Sequence, residues 1–510
     1  MIDFLALLGT LGLITACQTT DRATETSAEH ISRKPNIIFI LADDLGYGDL
    51  KSLNPDSKIP TPNMDKLVKQ GIHFSDAHSN SAVCTPTRYG ILTGRYAFRT
   101  PLKRGVLWGY SPPLIEPGQE TVASFLQKQG YHTACVGKWH LGLDWVAKDK
   151  NKDIPNIRAN DPVSPNFDDN VDYTQYIAGG PADHGFDYSL IIPASLDMSP
   201  YCYLRNGTVV AAPTQYTEGK NEKNDGRGVF WRAGKVAPGF DFYTVLPTLI
   251  DSARQYIERQ AQADQPFFLY LALPSPHTPW LPATEYQDAS QADTYGDFVA
   301  MTDQMIGSIL QTIEKQGIDD NTLIIVTSDN GADWRPTDLE EHQHRANHIY
   351  RGRKADIYEA GHRVPFLARW NGVIPASSHS HEIVCTTDLM ATLSGLLQTE
   401  LPPGVGEDSY NLWPAFLGKS TENPIRPFTI HHSLDGFFAI RQGNWKFTPH
   451  LGSGGFTDPK VVEPQPGEAP GTLYDLKNDP QEQNNLYKQH PEVVKALSQQ
   501  LEKIKNQKPK

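Results

Sequence analysis

The sequence predicts an α/β fold: a sheet of strands alternating with helices and covered on both faces, followed by a smaller α+β subdomain. Two observations carry the prediction. Short continuous apolar runs, several rich in β-branched residues, recur between stretches of helical periodicity. After about residue 405 the texture changes to closely spaced hairpin-like strands and one amphipathic helix.

Taken in order, residues 4–15 form an apolar stretch too short to span a bilayer as a mature helix, which fits the core of a signal peptide. It ends in Ile14-Thr15-Ala16-Cys17, which resembles a bacterial lipobox, so Cys17 is the expected site of lipidation and of membrane attachment by a lipid anchor. No Lys or Arg precedes the stretch, and Asp3 stands there instead. Residues 1–17 are therefore read as a signal segment and 18–34 as a polar, flexible tether. Export to the periplasm or attachment to the outer membrane follows as the expected location. The main domain is placed at 35–405 and the subdomain at 406–510.

Asn36–Leu41 is an unbroken apolar run and reads as a strand buried on both faces. Phe267–Leu273 and Leu323–Thr327 read as strands by the same pattern. Helical periodicity marks Asn63–Gln70, Thr121–Gln129, Val245–Gln260 and Phe298–Gln316. Asp149–Pro181 is polar and rich in Asn, Asp and Pro, which predicts a long surface insertion. In the subdomain, Phe437–Arg441, Trp445–Phe447 and Leu473–Asp475 read as strands and Pro491–Lys505 as an amphipathic helix.

A formal net charge of −13 leaves no basic footprint and excludes nucleic-acid binding. It does not exclude an anionic substrate, because a few buried cations act locally while distant charges are screened. Five cysteines in 510 residues make no disulfide framework. Cys135, Cys202 and Cys385 are expected to be small buried hydrophobes.

Two strand ends are acidic. Asp43-Asp44 follows the first strand, and Asp329-Asn330-Gly331 follows a later one. Ligands of open α/β sheets gather beyond the carboxyl ends of strands. Three carboxylates and one amide oxygen suit Ca²⁺ or Mg²⁺ rather than a thiophilic metal. Either pair alone is equally an ordinary turn.

A Cys-x-Pro-x-Arg motif, Cys84-Thr85-Pro86-Thr87-Arg88, continues into Tyr89-Gly90-Ile91-Leu92-Thr93-Gly94-Arg95. Here the sequence resembles the type I, formylglycine-dependent sulfatases, including bacterial polysaccharide sulfatases. The resemblance extends over nearly all of residues 35–490. Its further blocks are Ala42–Asp49, Gly137-Lys138-Trp139-His140-Leu141-Gly142, Pro276-His277-Thr278-Pro279, Ser328–Gly331, Gly352-Arg353-Lys354 and Leu473–Leu476 with Asn478-Asp479-Pro480.

The resemblance implies an alkaline-phosphatase-like α/β sandwich, with a mixed, mostly parallel sheet and a C-terminal antiparallel sheet. It implies that a separate maturation enzyme oxidises Cys84 to formylglycine (3-oxoalanine), whose hydrated aldehyde attacks the sulfur of a sulfate ester. Thr85 is expected to cap the helix that follows, Pro86 to suit its first turn and Gly94 to stop it. Asp43, Asp44, Asp329, Asn330 and the group derived from Cys84 would hold Ca²⁺, with Mg²⁺ as the other candidate. Arg88, Lys138 and Lys354 would stabilise the nucleophile and the sulfate oxygens. His140 would assist a deprotonation, and His277 would protonate the leaving oxygen.

His344, Arg345 and His348, with His342 and His362, are placed near the substrate because they neighbour Lys354 in sequence. Gly179–Leu204 is expected to help build the substrate pocket. The substrate expected is a sulfated carbohydrate, such as an algal galactan, ulvan or a glycosaminoglycan. The competing readings are a phosphonate or phosphate monoester hydrolase of the same superfamily and a non-catalytic glycan-binding relative.

Overall fold

The computed structural model describes residues 33–156, 161, 164–222, 225–419 and 422–507. The signal segment, Cys17 and the tether up to residue 32 lie outside the described residues. Asn36–Asp43 is an inner strand of a ten-stranded sheet. Its side chains alternate between the faces: Ile37, Phe39 and Leu41 join one core cluster, and Ile38, Ile40 and Ala42 join the other. Both faces are buried, which is why the run is apolar throughout.

Thr322–Ser328 and Phe267–Pro276 flank this strand, both parallel to it. His132–Lys138 and Tyr188–Ile192 extend the parallel set beyond Phe267–Pro276. On the other side Phe366–Arg369 and then Ile72–Phe74 are added, each antiparallel to its inner neighbour. The sheet is thus mixed and mostly parallel at its centre.

Helices Pro62–Gln70, Val245–Gln260 and Asp293–Lys315 cover one face through Met64, Leu67, Leu249, Ile257, Phe298 and Ile309. Helices Cys84–Thr93, Val122–Lys128 and Leu389–Leu396 cover the other through Ile91, Leu92, Phe125, Leu126, Met390 and Leu393.

The smaller sheet has four antiparallel strands, Thr429–His432, Phe438–Gln442, Trp445–Thr448 and Thr472–Asp475. Helix Pro491–Lys505 lays Val494, Leu497, Leu501 and Ile504 on it, the 3.6-residue stripe of an amphipathic helix. Tyr96, Phe98 and Cys385 from the larger part join the same cluster. Leu412, Trp413 and Phe416, beyond residue 405, pack instead into the core of the large sheet.

Several elements differ from the sequence reading. Asp293–Lys315 begins five residues before Phe298, because Asp297 carries the turn ahead of it by accepting backbone N–H bonds from Asp288 and Ser290 at 2.9 Å each. His132–Lys138 escapes a hydropathy pattern because His, Thr, Gly and Lys interrupt it, yet it is an inner strand. Asp149–Pro181 is not purely a surface insertion: Val171 and Ile177 are fully buried in the main core. Asp168 is buried there too, held by the hydroxyls of Tyr110 at 2.7 Å and Tyr173 at 2.5 Å.

Candidate active site

Four neighbouring parallel strands end side by side. Asp43 pairs in register with Pro276, and Ala42 with Ser328. Asp43-Asp44, His277, Asp329-Asn330 and Lys138 therefore emerge at one edge. Consecutive residues of a strand point to opposite faces, so two adjacent ligands need a break in the strand. Asp44 supplies it with a left-handed backbone, φ 66°, a conformation that Asp adopts more readily than most side chains.

Helix Cys84–Thr93 is buried along its whole length and places Cys84 at its first turn beside these strand ends. Gly94, at φ 64°, closes it with an N–H to the Gly90 carbonyl, as expected. The cap at the other end differs from the expectation. Val83 occupies the N-cap without a side-chain bond, and Thr85 lies inside the helix. The Thr85 hydroxyl donates to the His140 carbonyl at 3.0 Å and accepts from the Leu107 N–H at 3.1 Å, so it ties two loops to the helix instead of capping it.

Arg88 is completely buried. Its Nε and Nη2 both donate to Asp329 Oδ2, at 3.0 and 2.7 Å, and its Nη1 donates to the Lys138 carbonyl. Lys138 Nζ lies 2.6 Å from Asp43 Oδ2, and Lys354 Nζ 2.7 Å from Asp44 Oδ1. Three carboxylates thus face three cations. Burial, with the nearby charge of Asp43, raises the Asp329 carboxyl above the usual carboxylate range, against Arg88 and Lys138. At Asp43 burial is outweighed by Lys138, His277 and Arg88, which hold it well below the carboxylate range. Burial also pushes the Cys84 thiol up, against Lys138 and Lys354, so the unmodified residue is a neutral thiol and a poor nucleophile.

The residues fit a hard cation. Asp43 Oδ1 and Asn330 Oδ1 are buried acceptors without a protein partner. Buried polar atoms are normally paired, and two bare oxygens among further carboxylates form the donor set Ca²⁺ or Mg²⁺ prefers.

The two histidines are oriented by carbonyls, which can only accept. His140 Nε2 therefore donates to the Leu107 carbonyl at 2.7 Å, and its buried Nδ1 has no partner. Burial, then Lys138 and Arg88, lower its pKa well below the usual histidine value, so it is a neutral imidazole with a free lone pair. His277 Nδ1 donates to the Thr278 carbonyl at 2.6 Å, and its Nε2 lies 3.8 Å from Asp44 Oδ2.

Asp44, Cys84, His277 and Lys354 line a cavity of about 460 Å³. Its walls include Trp108, Trp280, Arg227, Arg232 and Arg353, and Phe456 and Lys460 of the subdomain reach it as well. Asp197 and Met198 come from the expected pocket segment Gly179–Leu204. His344, Arg345 and His348 are not among the residues lining this cavity. His344 is fully buried, with Nε2 2.8 Å from Asp49 Oδ1. Arg345 is exposed, and His348 packs on Tyr47 and Tyr350. Arg227 and Arg232 stand in loops without motif or periodicity, and no sequence signal marked them; Arg353 lies in the Gly352-Arg353-Lys354 block.

A cavity floored by paired acids and bases at strand ends, with cationic walls, defines an enzyme that handles an anionic ester. Comparison with known proteins gives the particular family. A sequence profile of the sulfatase family matches residues 35–399. The chain is 31% identical to an N-acetylgalactosamine-6-O-sulfatase of Bacteroides thetaiotaomicron, covering 98% of each chain. It is 32% identical to human arylsulfatase A over 92% of this chain and 87% of that one. A solved structure from the glycosaminoglycan metabolism of Bacteroides thetaiotaomicron superposes with a TM-score of 0.78 at 31% identity, covering 93% of this chain and 100% of the other. The chain belongs to the sulfatase family and is a sulfuric ester hydrolase.

Proposed function

We propose that this sulfatase removes sulfate from a carbohydrate, using a formylglycine formed from Cys84 and one divalent cation held by Asp43, Asp44, Asp329 and Asn330. The observation that carries the reading is the pair of bare buried oxygens, Asp43 Oδ1 and Asn330 Oδ1, in a cluster that adjoins a non-nucleophilic Cys84 thiol. In this structure Cys84 Sγ stands in for the oxygens of the hydrated aldehyde. A bound cation would supply Lewis acidity, and the formylglycine would supply the attacking oxygen.

The chain's other groups have separable tasks. Arg88, Lys138 and Lys354 are fixed cations that stabilise charge on the sulfate oxygens without reorganising. His140 Nδ1, bare and unprotonated, accepts a proton. His277 offers Nε2, because its Nδ1 proton is committed to the Thr278 carbonyl. In the imidazolium form it delivers the Nε2 proton to the leaving sugar oxygen.

The named activity of the relative that matches along its full length makes 6-O-sulfated N-acetylgalactosamine the first substrate to test. An exported, lipid-anchored protein acting on external polymer with a separate maturation enzyme completes the proposal. Mass spectrometry of the peptide containing residue 84, metal analysis of the same preparation and turnover of sulfated oligosaccharides test it together. An aldehyde at 84, one Ca²⁺ or Mg²⁺ per chain and sugar desulfation are expected. Full activity with an intact thiol, or in metal-free protein, overturns the reading.

A further inference from the structure

Asp197 has no part in the chemistry above, yet it lines the same cavity with a nearly buried side chain, 5% exposed. One of its carboxylate oxygens, Oδ2, is held by Arg232 Nη1. The other, Oδ1, is buried and has no partner. Arg232 Nε is likewise a buried donor without a partner. Leaving such atoms unpaired is costly, so their persistence beside a cavity points to an occupant that completes them.

The pair is rigid. The Arg232 N–H donates to the Asp197 carbonyl at 3.2 Å. The buried Tyr201 hydroxyl bridges the carbonyls of Asp197 and Arg232, at 3.1 and 2.8 Å. The guanidinium packs on two aromatic rings, 5.1 Å from the centroid of Trp108 and 4.9 Å from that of Phe230. Burial raises the Asp197 carboxyl, but Arg232 and His277 outweigh it and hold it at about 2. It is a permanent acceptor beside a permanent donor.

A sulfate oxygen only accepts hydrogen bonds, so a carboxylate does not bind it. A sugar hydroxyl both donates and accepts, and an adjacent carboxylate and guanidinium match it. We propose that Asp197, braced by Arg232, is a specificity-determining residue that reads a hydroxyl group of the sugar bearing the scissile sulfate. This rests on the carbohydrate reading above and deepens it: the substrate class is a sulfated sugar with one obligatory free hydroxyl near the cleaved ester.

The test compares a 6-O-sulfated hexosamine, its deoxy analogues each lacking one hydroxyl, and nitrophenyl sulfate, with the matured, metal-loaded enzyme. The unaltered enzyme should lose about 10–100-fold in kcat/KM on one deoxy analogue, the worth of a hydrogen bond to a charged group. Asp197→Ala should lose a similar factor on the parent sugar and little more on that analogue, because the same bond is already gone. Its loss on the sugar should exceed its loss on nitrophenyl sulfate by that factor. Asp197→Asn, which keeps the packing, should show the same ranking if Asp197→Ala folds poorly. Equal losses on sugar and aryl esters would make Asp197 a support for His277 and overturn the proposal. So would indifference of the unaltered enzyme to every deoxy analogue while it cleaves the parent. Turnover of nitrophenyl sulfate alone, with no sulfated sugar cleaved, would overturn the carbohydrate reading and this proposal with it.

Discussion

At the scale of single residues, the proton positions decide the assignments. His277 can act as an acid only at Nε2, and an acid matters most when the leaving group is a basic alkoxide. His277→Ala should therefore lose about 10²–10⁴-fold on a sugar sulfate and much less on nitrophenyl sulfate, whose phenolate leaves unaided. Measuring kcat/KM for both esters gives the two losses as free energies, and equal losses would assign His277 to sulfate binding. Asp329→Ala is expected to abolish both metal content and turnover, because it removes a proposed ligand and strands buried Arg88 without its carboxylate. The sequence singled out Asp329 because it sits in a short acidic block directly after an apolar run, and His277 because its block resembles one of the sulfatase family. Asp197 and Arg232 were not, because their meaning depends on a contact across 35 positions. His344 shows the converse: ten positions from Lys354, it is committed to Asp49.

At the scale of elements, the strand His132–Lys138 delivers Lys138 to the floor, and the pairing is close. Gly137 has φ 121°, and a Cβ there would lie 1.8 Å from the Ala272 carbonyl oxygen of the neighbouring strand. Gly137→Ala should cost about 3 kcal/mol of stability through clash and backbone strain. Activity should fall further than stability explains, because Lys138 shifts with the strand. Thermal melting and kcat/KM check the two effects, and an unchanged melting temperature would contradict them. Long, unbroken patterns were legible here: Val245–Gln260 and Pro491–Lys505 have the bounds their periodicity indicates. Strands shorter or more polar, such as Ile72–Phe74 and His132–Lys138, acquire their identity from neighbours in the sheet rather than from their own hydropathy.

At the scale of the whole molecule, buried charges tie the two sheets together. Asp76 of the larger part binds Arg441 of the smaller sheet and Arg363, and Lys446 reaches Glu359 at 3.1 Å. His78, at the same junction, is lowered to about 4 by burial and then by Arg363. A folded-state pKa below the unfolded value means that the unfolded chain binds protons more strongly. His78 thus contributes stability above about pH 6.5, lost progressively as pH falls toward 4. Arg363 and Arg441 outweigh burial to depress Asp76, which adds a further loss below the ordinary carboxylate range. The melting temperature should fall steadily from pH 7 to pH 4, and a flat profile would count against the junction. The order of events in the molecule's life follows from its most enclosed helix. Every residue of Cys84–Thr93 is buried, and Cys84 meets solvent only through the cavity it lines, so the proposed maturation enzyme would have to reach position 84 while the chain is still open. Under the proposed oxidation of Cys84, the chemical identity of that residue would be a record of the time before folding: protein that folds with its thiol intact should remain inert when the maturation enzyme is added afterwards, and should respond only after being unfolded in its presence.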